Sequence, residues 1–258
     1  MGSLINPKSL PFLEHPGPIP FAHRGGAGDF PENTLPAFRN AIELGYKHLE
    51  TDVHLTKDGK VVAFHDESLD RVTDHSGKIS DFTLNEISQI QIGGSEKIPT
   101  LLELLESFPE TKINIDPKSD NVVFPLIELL QTTNSISRVC VGSFSDKRIK
   151  QIRSSLGSQL CVSAGPKSVM KFLAEKYTFS FSRFNYHCLQ VPQRSGPVKI
   201  VTRDFVERAH AKGLQVHVWT IDDPNEMHEL LDLGVDGLMT DETSTLKDVL
   251  LERNDWWN

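Results

Sequence analysis

The stretch TRDFVERAHAKGLQVHVWTIDDPNEMHELLDLGVDGLMTDETSTLKDVL, residues 202–250, holds three amphipathic runs separated by two short apolar ones. Thr202–Ala211, Asn225–Leu233 and Ser244–Leu250 repeat apolar residues at helical spacing, whereas Leu214–Thr220 and Gly237–Met239 have the length and apolar content of strands. Gly213 and Gly234 stand just past the first two helical runs, where a left-handed C-terminal cap is expected. Strands and helices that alternate over such short connections call for a parallel sheet covered by helices.

The same alternation runs upstream. Strand-like runs at Ile19–His23, His48–His54, Lys112–Asp116, Val139–Ser143, Leu160–Ser163 and Cys188–Val191 alternate with helical runs at Leu35–Leu44, Leu101–Phe108, Val122–Leu130, Asp146–Leu156 and Ser168–Lys176. Asn33 or Thr34 can cap the first helix ahead of Pro36, and Gly45 can close it. Eight strands, each followed by a helix, predict an α/β (β/α)₈ TIM barrel, a single domain over the 258 residues. One stretch breaks the rhythm, an insertion at approximately 55–100 between the second strand and its helix. Asp58-Gly59 begins it with a hairpin turn, and Gly77, Gly93 and Gly94 suggest further turns. Loops after barrel strands lie at the catalytic face, so this long one is expected to cap the site.

Composition excludes several classes. Hydrophobic residues at 38% and charged residues at 24% are ordinary for a globular enzyme, and no apolar run approaches a membrane span, so no stable membrane insertion is expected. Met1–Pro20 lacks the basic and apolar regions of a secretory signal, which reads as cytoplasmic, and Asn6 stands where an acylation motif starting at Gly2 wants Ser or Thr. A net charge of −8 argues against nucleic acid or an anionic membrane surface as a bulk electrostatic partner. Cys140, Cys161 and Cys188 fall in apolar strand-like runs, and their odd number favours buried thiols over disulfides. Oligomeric state has no signature here.

Chemistry concentrates at the strand ends. Glu50 and Asp52 are two apart on a strand, so both project from one face, roughly 6.6 Å apart along the backbone. His48 and His54 share that parity. Two buried carboxylates repel by about 4 kcal/mol at 4 Å and an effective dielectric of about 20, a cost that a divalent cation removes. All-oxygen ligation points to Mg²⁺ or Ca²⁺. Asp116 and Lys118 repeat the two-residue spacing at the third strand's end, so Asp116 can complete a metal shell and Lys118 can meet a phosphoryl oxygen. His23 ends the first strand and His65 ends the inserted hairpin; two imidazoles suit the proton exchange of phosphodiester cleavage. Arg24 offers a planar cation for phosphate, and Gly25-Gly26 permits close backbone approach.

Taken together, the chain resembles the glycerophosphodiester phosphodiesterase family. The resemblance rests on Ala22-His23-Arg24-Gly25, Pro31-Glu32-Asn33-Thr34, Glu50-Thr51-Asp52-Val53, Lys57-Asp58-Gly59, Phe64-His65-Asp66 and Asn114-Ile115-Asp116-Pro117-Lys118. Val218-Trp219-Thr220 and Asp236-Gly237-Leu238-Met239-Thr240-Asp241 extend it to nearly the whole chain. It implies a TIM barrel with a small insertion after the second strand, and metal-dependent hydrolysis of glycerophosphodiesters to sn-glycerol 3-phosphate and an alcohol. By motif, His23 and His65 correspond to the acid–base pair, and Glu50, Asp52 and Asp116 to metal ligands. Arg24 and Lys118 correspond to phosphate ligands and Trp219 to a wall of the substrate pocket. Position 116 carries Asp where the family usually carries Glu.

Three alternatives stand beside this reading. Phe144, Phe181, Phe184, Tyr186, Phe205 and Trp219 could line an acyl groove, which would favour lysophospholipase D activity, discriminated by an open apolar channel leading from the site. A non-catalytic barrel binding a phosphorylated ligand would be expected to lack one of the two histidines. A metal-dependent sugar isomerase would not need Arg24 and Lys118 converging on phosphate.

Overall fold

A computed structural model describes residues 10–177 and 185–257. Gly2, Asn6, Phe181 and Phe184 lie outside them. Eight parallel strands form the barrel: β1 (Ile19–Ala22), β2 (His48–Leu55), β3 (Lys112–Pro117), β4 (Val139–Val141), β5 (Cys161–Val162), β6 (Cys188–Pro192), β7 (Gln215–Trp219) and β8 (Gly237–Thr240). Neighbours run β5-β4-β3-β2-β1-β8-β7-β6. The β5–β6 seam is held by a parallel bridge between Ser163 and Cys188, with the Ala164 N–H donating to the Cys188 carbonyl at 2.9 Å.

Each strand is followed by a helix: α1 (Leu35–Leu44), α2 (Leu101–Ser107), α3 (Val123–Thr132), α4 (Asp146–Leu156), α5 (Pro166–Ala174), α6 (Arg203–Ala211), α7 (Pro224–Leu233) and α8 (Thr243–Glu252). Thr34, not Asn33, caps α1 by accepting from the Ala37 N–H, and Gly45 closes it in the left-handed region. The apolar stripes of these helices join the strands' outward faces in one continuous core. Among the described residues no helix is long and apolar enough to cross a membrane.

Four strands, β1, β4, β5 and β7, end earlier than their apolar runs. β4 stops at Val141, before Gly142 and Ser143, and β5 keeps only Cys161 and Val162 in the ladder. His23 lies one residue past β1, because Arg24 (φ 51°) and Gly25 (φ 88°) turn the chain out of the sheet. The approach that Gly25 permits is to α1: a Cβ there would sit 2.9 Å from the Ala37 Cβ.

The insertion extends β2. Its short strand Val61–Ala63 pairs antiparallel with Val53–Leu55 around the Asp58-Gly59 turn, and Val62, Phe64, Leu69, Ile79, Ile87, Ile90, Ile92 and Ile98 form a separate small core. At the opposite end of the barrel, Leu10, Phe12 and Leu13 close the interior against Phe21 and Met239. His48 is fully buried there and donates from Nε2 to the Phe12 carbonyl at 2.8 Å; burial, then Lys112, hold its pKa well below the ordinary value. The interior polarity of β2 is therefore split, with His48 serving packing and Glu50 and Asp52 serving the opposite mouth.

Candidate active site

Register brings the acids together. Asp52 on β2 is paired with Asp116 on β3, and Glu50 with Asn114, so three inward carboxylates share two neighbouring strands. Lys118 lies across them, with Nζ 2.6 Å from Asp52 and 3.0 Å from Asp116. Arg24 reaches in from the β1 end, its Nε 3.5 Å from Asp52 and its guanidinium 3.1 Å from Glu32. Glu50 accepts from the Arg24 backbone N–H at 3.0 Å.

The electrostatics are uneven. Burial, reinforced by Asp52, pushes Glu50 up to about 7, and burial also raises Asp116. Burial opposes ionisation of Asp52 too, but Lys118, His65 and Arg24 outweigh it and hold its pKa low. Among the described residues, the buried Asp116 Oδ1 atom has no hydrogen-bond partner. The contacts of the site gather six carboxylates (Glu32, Glu50, Asp52, Asp66, Asp116 and Asp241) around three permanent cations (Arg24, Arg71 and Lys118). A raised carboxylate pair, an orphaned oxygen and an excess of negative charge fit a hard divalent cation bound by Glu50, Asp52 and Asp116.

The imidazoles flank this cluster. His23 Nδ1 lies 2.8 Å from Asp241 and its Nε2 3.8 Å from Glu50. Burial lowers its basicity, yet Glu50 and Asp241 together more than offset that and raise its pKa. His65 Nδ1 lies 2.5 Å from Asp66, which Arg71 holds through Nε, also at 2.5 Å. Arg71 then donates twice to Glu32, at 2.7 and 2.8 Å, so the insertion is tied back to the loop that carries Arg24. With each Nδ1 committed to a carboxylate, Nε2 is the ring nitrogen left to exchange a proton.

His23, Arg24, Glu50, Asp52, His65, Asp116, Lys118 and Trp219 all line one cavity of about 650 Å³. Trp219 packs edge-on against Phe144 at 5.7 Å, and the Lys118 ammonium lies 5.9 Å from the same Phe144 ring. Val169, Met170, Leu173, Val198 and Ile200 continue the wall beyond them. Two aromatics expected in such a groove lie elsewhere. Phe205 is buried against Phe172 at 5.2 Å under α6, and Tyr186 is buried in the main core.

The sequence alone singles out none of Asp241, Asp66, Glu32 and Arg71. The first three stand inside the quoted motifs, each at or next to a strand or loop end, and that position was the available signal. Arg71 sits in the irregular part of the insertion, where no periodicity singles it out.

Comparison with known proteins agrees with this arrangement. The profile of the Glycerophosphoryl diester phosphodiesterase family matches residues 23–245. A probable glycerophosphodiester phosphodiesterase 2 of Mycobacterium tuberculosis is 36% identical over 96% of both chains. Human lysophospholipase D GDPD1 is 29% identical over 89% of this chain and 85% of its own. The structure of an Oleispira antarctica phosphodiesterase in complex with the product sn-glycerol-3-phosphate superposes with a TM-score of 0.76 and 25% identity, covering 91% of this chain and 97% of the other. From the strand-end motifs through the barrel to these relatives, the chain belongs to the glycerophosphoryl diester phosphodiesterase family.

Proposed function

We propose that this chain hydrolyses glycerophosphodiesters to sn-glycerol 3-phosphate and an alcohol, with a divalent metal, Mg²⁺ or Ca²⁺, held by Glu50, Asp52 and Asp116. The observation that carries the reading is the pair of carboxylate-oriented imidazoles, His23–Asp241 and His65–Asp66, on one cavity with those three acids. When bound, the metal supplies charge neutralisation at the phosphoryl oxygen and acidifies the attacking hydroxyl. Arg24 and Lys118 orient the phosphate. One imidazole takes the proton of the attacking hydroxyl through Nε2, and the other returns one to the departing alkoxide, each step worth roughly 10²–10⁴-fold. Asp241 and Asp66 fix the ring tautomers for that exchange. Trp219 walls the pocket. The 1–258 chain acts as one domain, whose insertion at about 55–100 delivers His65 to the mouth of the barrel. Three free, buried cysteines support a reducing, cytoplasmic setting.

A second substrate class has its own support. The apolar wall of Phe144, Val169, Leu173 and Ile200 begins at Trp219 and leads out of the cavity, the feature expected for lysophospholipase D action on acylated diesters. Phosphorus NMR with glycerophosphocholine and with lysophosphatidylcholine, after chelation and after restoring Mg²⁺ or Ca²⁺, tests both. Release of sn-glycerol 3-phosphate or of lysophosphatidate, lost on chelation, is expected; turnover indifferent to chelation would refute the metal reading.

A further inference from the structure

Among the described residues, four large apolar side chains are more than 60% exposed: Phe124, Phe144, Met170 and Val198. Three of them, Phe144 at 66%, Met170 at 65% and Val198 at 62%, belong to the lining of the same cavity. They come from three separate elements, the loop after β4, helix α5, and the small hairpin Arg194–Ser195/Val198–Lys199 after β6. Folding gives each of these elements the opportunity to bury its apolar side chain, and all three instead present it to solvent at one rim. Behind the rim stand half-buried Val169, Leu173 and Ile200, so apolar surface continues from outside to the phosphate-binding residues.

Two carboxylates border this rim and both are engaged, Asp146 by the Lys167 and Ser168 N–H groups at the start of α5 and Glu229 by Lys199 of the hairpin, which leaves the cations as the unpaired charges. Lys167 and Lys171 lie one turn apart on α5, on the face that also carries Met170, and all three are exposed. Arg194 is exposed on the hairpin beside Val198. None of these three cations has a carboxylate partner within ion-pair distance among the described residues, although most surface cations nearby do: Lys147 with Asp120, Lys176 with Asp204, and Lys199 with Glu229. The molecule's net charge of −8 does not cancel this patch, because charges farther away than about 10 Å are largely screened at ordinary salt.

We infer that this rim is a docking surface for a lipid bilayer containing anionic lipid. Exposed apolar side chains enter the interface, and Lys167, Lys171 and Arg194 meet its phosphates. The inference rests on the proposed diesterase reading, because it supplies the route by which an acylated diester reaches the site: the acyl chain passes from bilayer to apolar wall without crossing water. A protein partner fits these observations less well, since covering the rim would close the cavity mouth, whereas a bilayer is itself the source of the ligand.

The test is co-sedimentation of the full chain with vesicles of phosphatidylcholine containing about one third phosphatidylglycerol, beside vesicles of phosphatidylcholine alone. Wild type is expected to sediment with the anionic vesicles. At about fivefold per cation, Lys167→Ala with Lys171→Ala should weaken that binding roughly 25-fold while leaving turnover of soluble glycerophosphocholine unchanged. Met170→Asp with Val198→Asp should abolish binding. Failure of wild type to sediment at millimolar lipid, equal binding to neutral vesicles, or indifference to both double variants would overturn the inference. Sedimentation that persists in a protein unable to hydrolyse any diester would leave the docking surface standing and remove the catalytic reading alone.

Discussion

His23 and Asp241 are 218 residues apart in sequence, yet their side chains meet at 2.8 Å. The cause is register. β1 and β8 are neighbours in the barrel with Ala22 paired to Thr240, so the next residue on each strand emerges at the same height. An imidazole and a carboxylate at those two positions are then held together by the closure of the barrel itself.

Asp241→Asn tests what that contact does. Asparagine keeps the shape but loses the charge that, with Glu50, raises the His23 pKa. On the proposed mechanism, a fall in kcat of roughly 10²-fold with little change in KM is expected, because the proposed acid–base group would lose orientation and basicity while substrate contacts stay. The limb of the kcat–pH profile governed by His23 should also move to lower pH. A profile of unchanged shape would show that Asp241 does not act through His23.

If Glu50 is a metal ligand, as proposed, it sets the pH dependence of metal binding. With burial and Asp52 pushing it up to about 7, it holds a proton through the mildly acidic range, and that proton competes with the cation. Affinity should weaken as pH falls below about 7, with proton release on binding, visible by calorimetry in buffers of different ionisation enthalpy. In chelated protein the sign follows from the raised folded pKa. Its stabilising contribution is complete below the ordinary carboxylate value of 4.5 and is lost as pH rises through about 7. Glu50→Gln should flatten both dependences, and a metal titration identical to wild type would remove Glu50 from the ligand set.

Much of this is legible in the sequence. The alternation of runs defines eight strand–helix units, and same-parity spacing places Glu50 with Asp52 and Asp116 with Lys118 on inward faces. What the sequence could not show is which of two chemically similar residues takes which contact. Thr34 rather than Asn33 caps α1, because Asn33 adopts φ 56° and turns its side chain to Asp52 and Thr51. Contacts between distant segments were equally silent. Phe12 has no helical or strand pattern to mark it, yet it closes the barrel floor against His48. Asp241 matters through a register that only closure of the sheet defines.

Arg71 should behave as a strut of the active site. It is nearly half exposed, yet it joins Asp66 to Glu32 and so links the partner of His65 to the partner of Arg24. Arg71→Met is expected to change folding stability by no more than about 1 kcal/mol, as for other exposed ion pairs. Activity should fall by roughly 10- to 100-fold, the usual cost of removing a group that orients a site residue. Equal turnover in variant and wild type on glycerophosphocholine would mean that the hairpin holds His65 without this link.

His187 gives the molecule a defined acid weakness away from the site. Burial, then the Arg153 guanidinium 3.3 Å from Nε2, lower its pKa to about 4. The Val162 N–H donates to Nδ1 at 3.1 Å, so a protonated ring would face a donor on each side. Because the folded pKa is depressed below the ordinary imidazole value of 6.5, the contribution is fully present above that value and lost as pH falls through about 4. Between about pH 7 and about pH 4.5 this amounts to on the order of 2–3 kcal/mol. His187→Gln keeps an acceptor for Val162 and cannot titrate, so its urea midpoint should fall less than that of wild type over the same interval. Parallel decline of the two proteins would show that the ring is not the group whose protonation destabilises the fold.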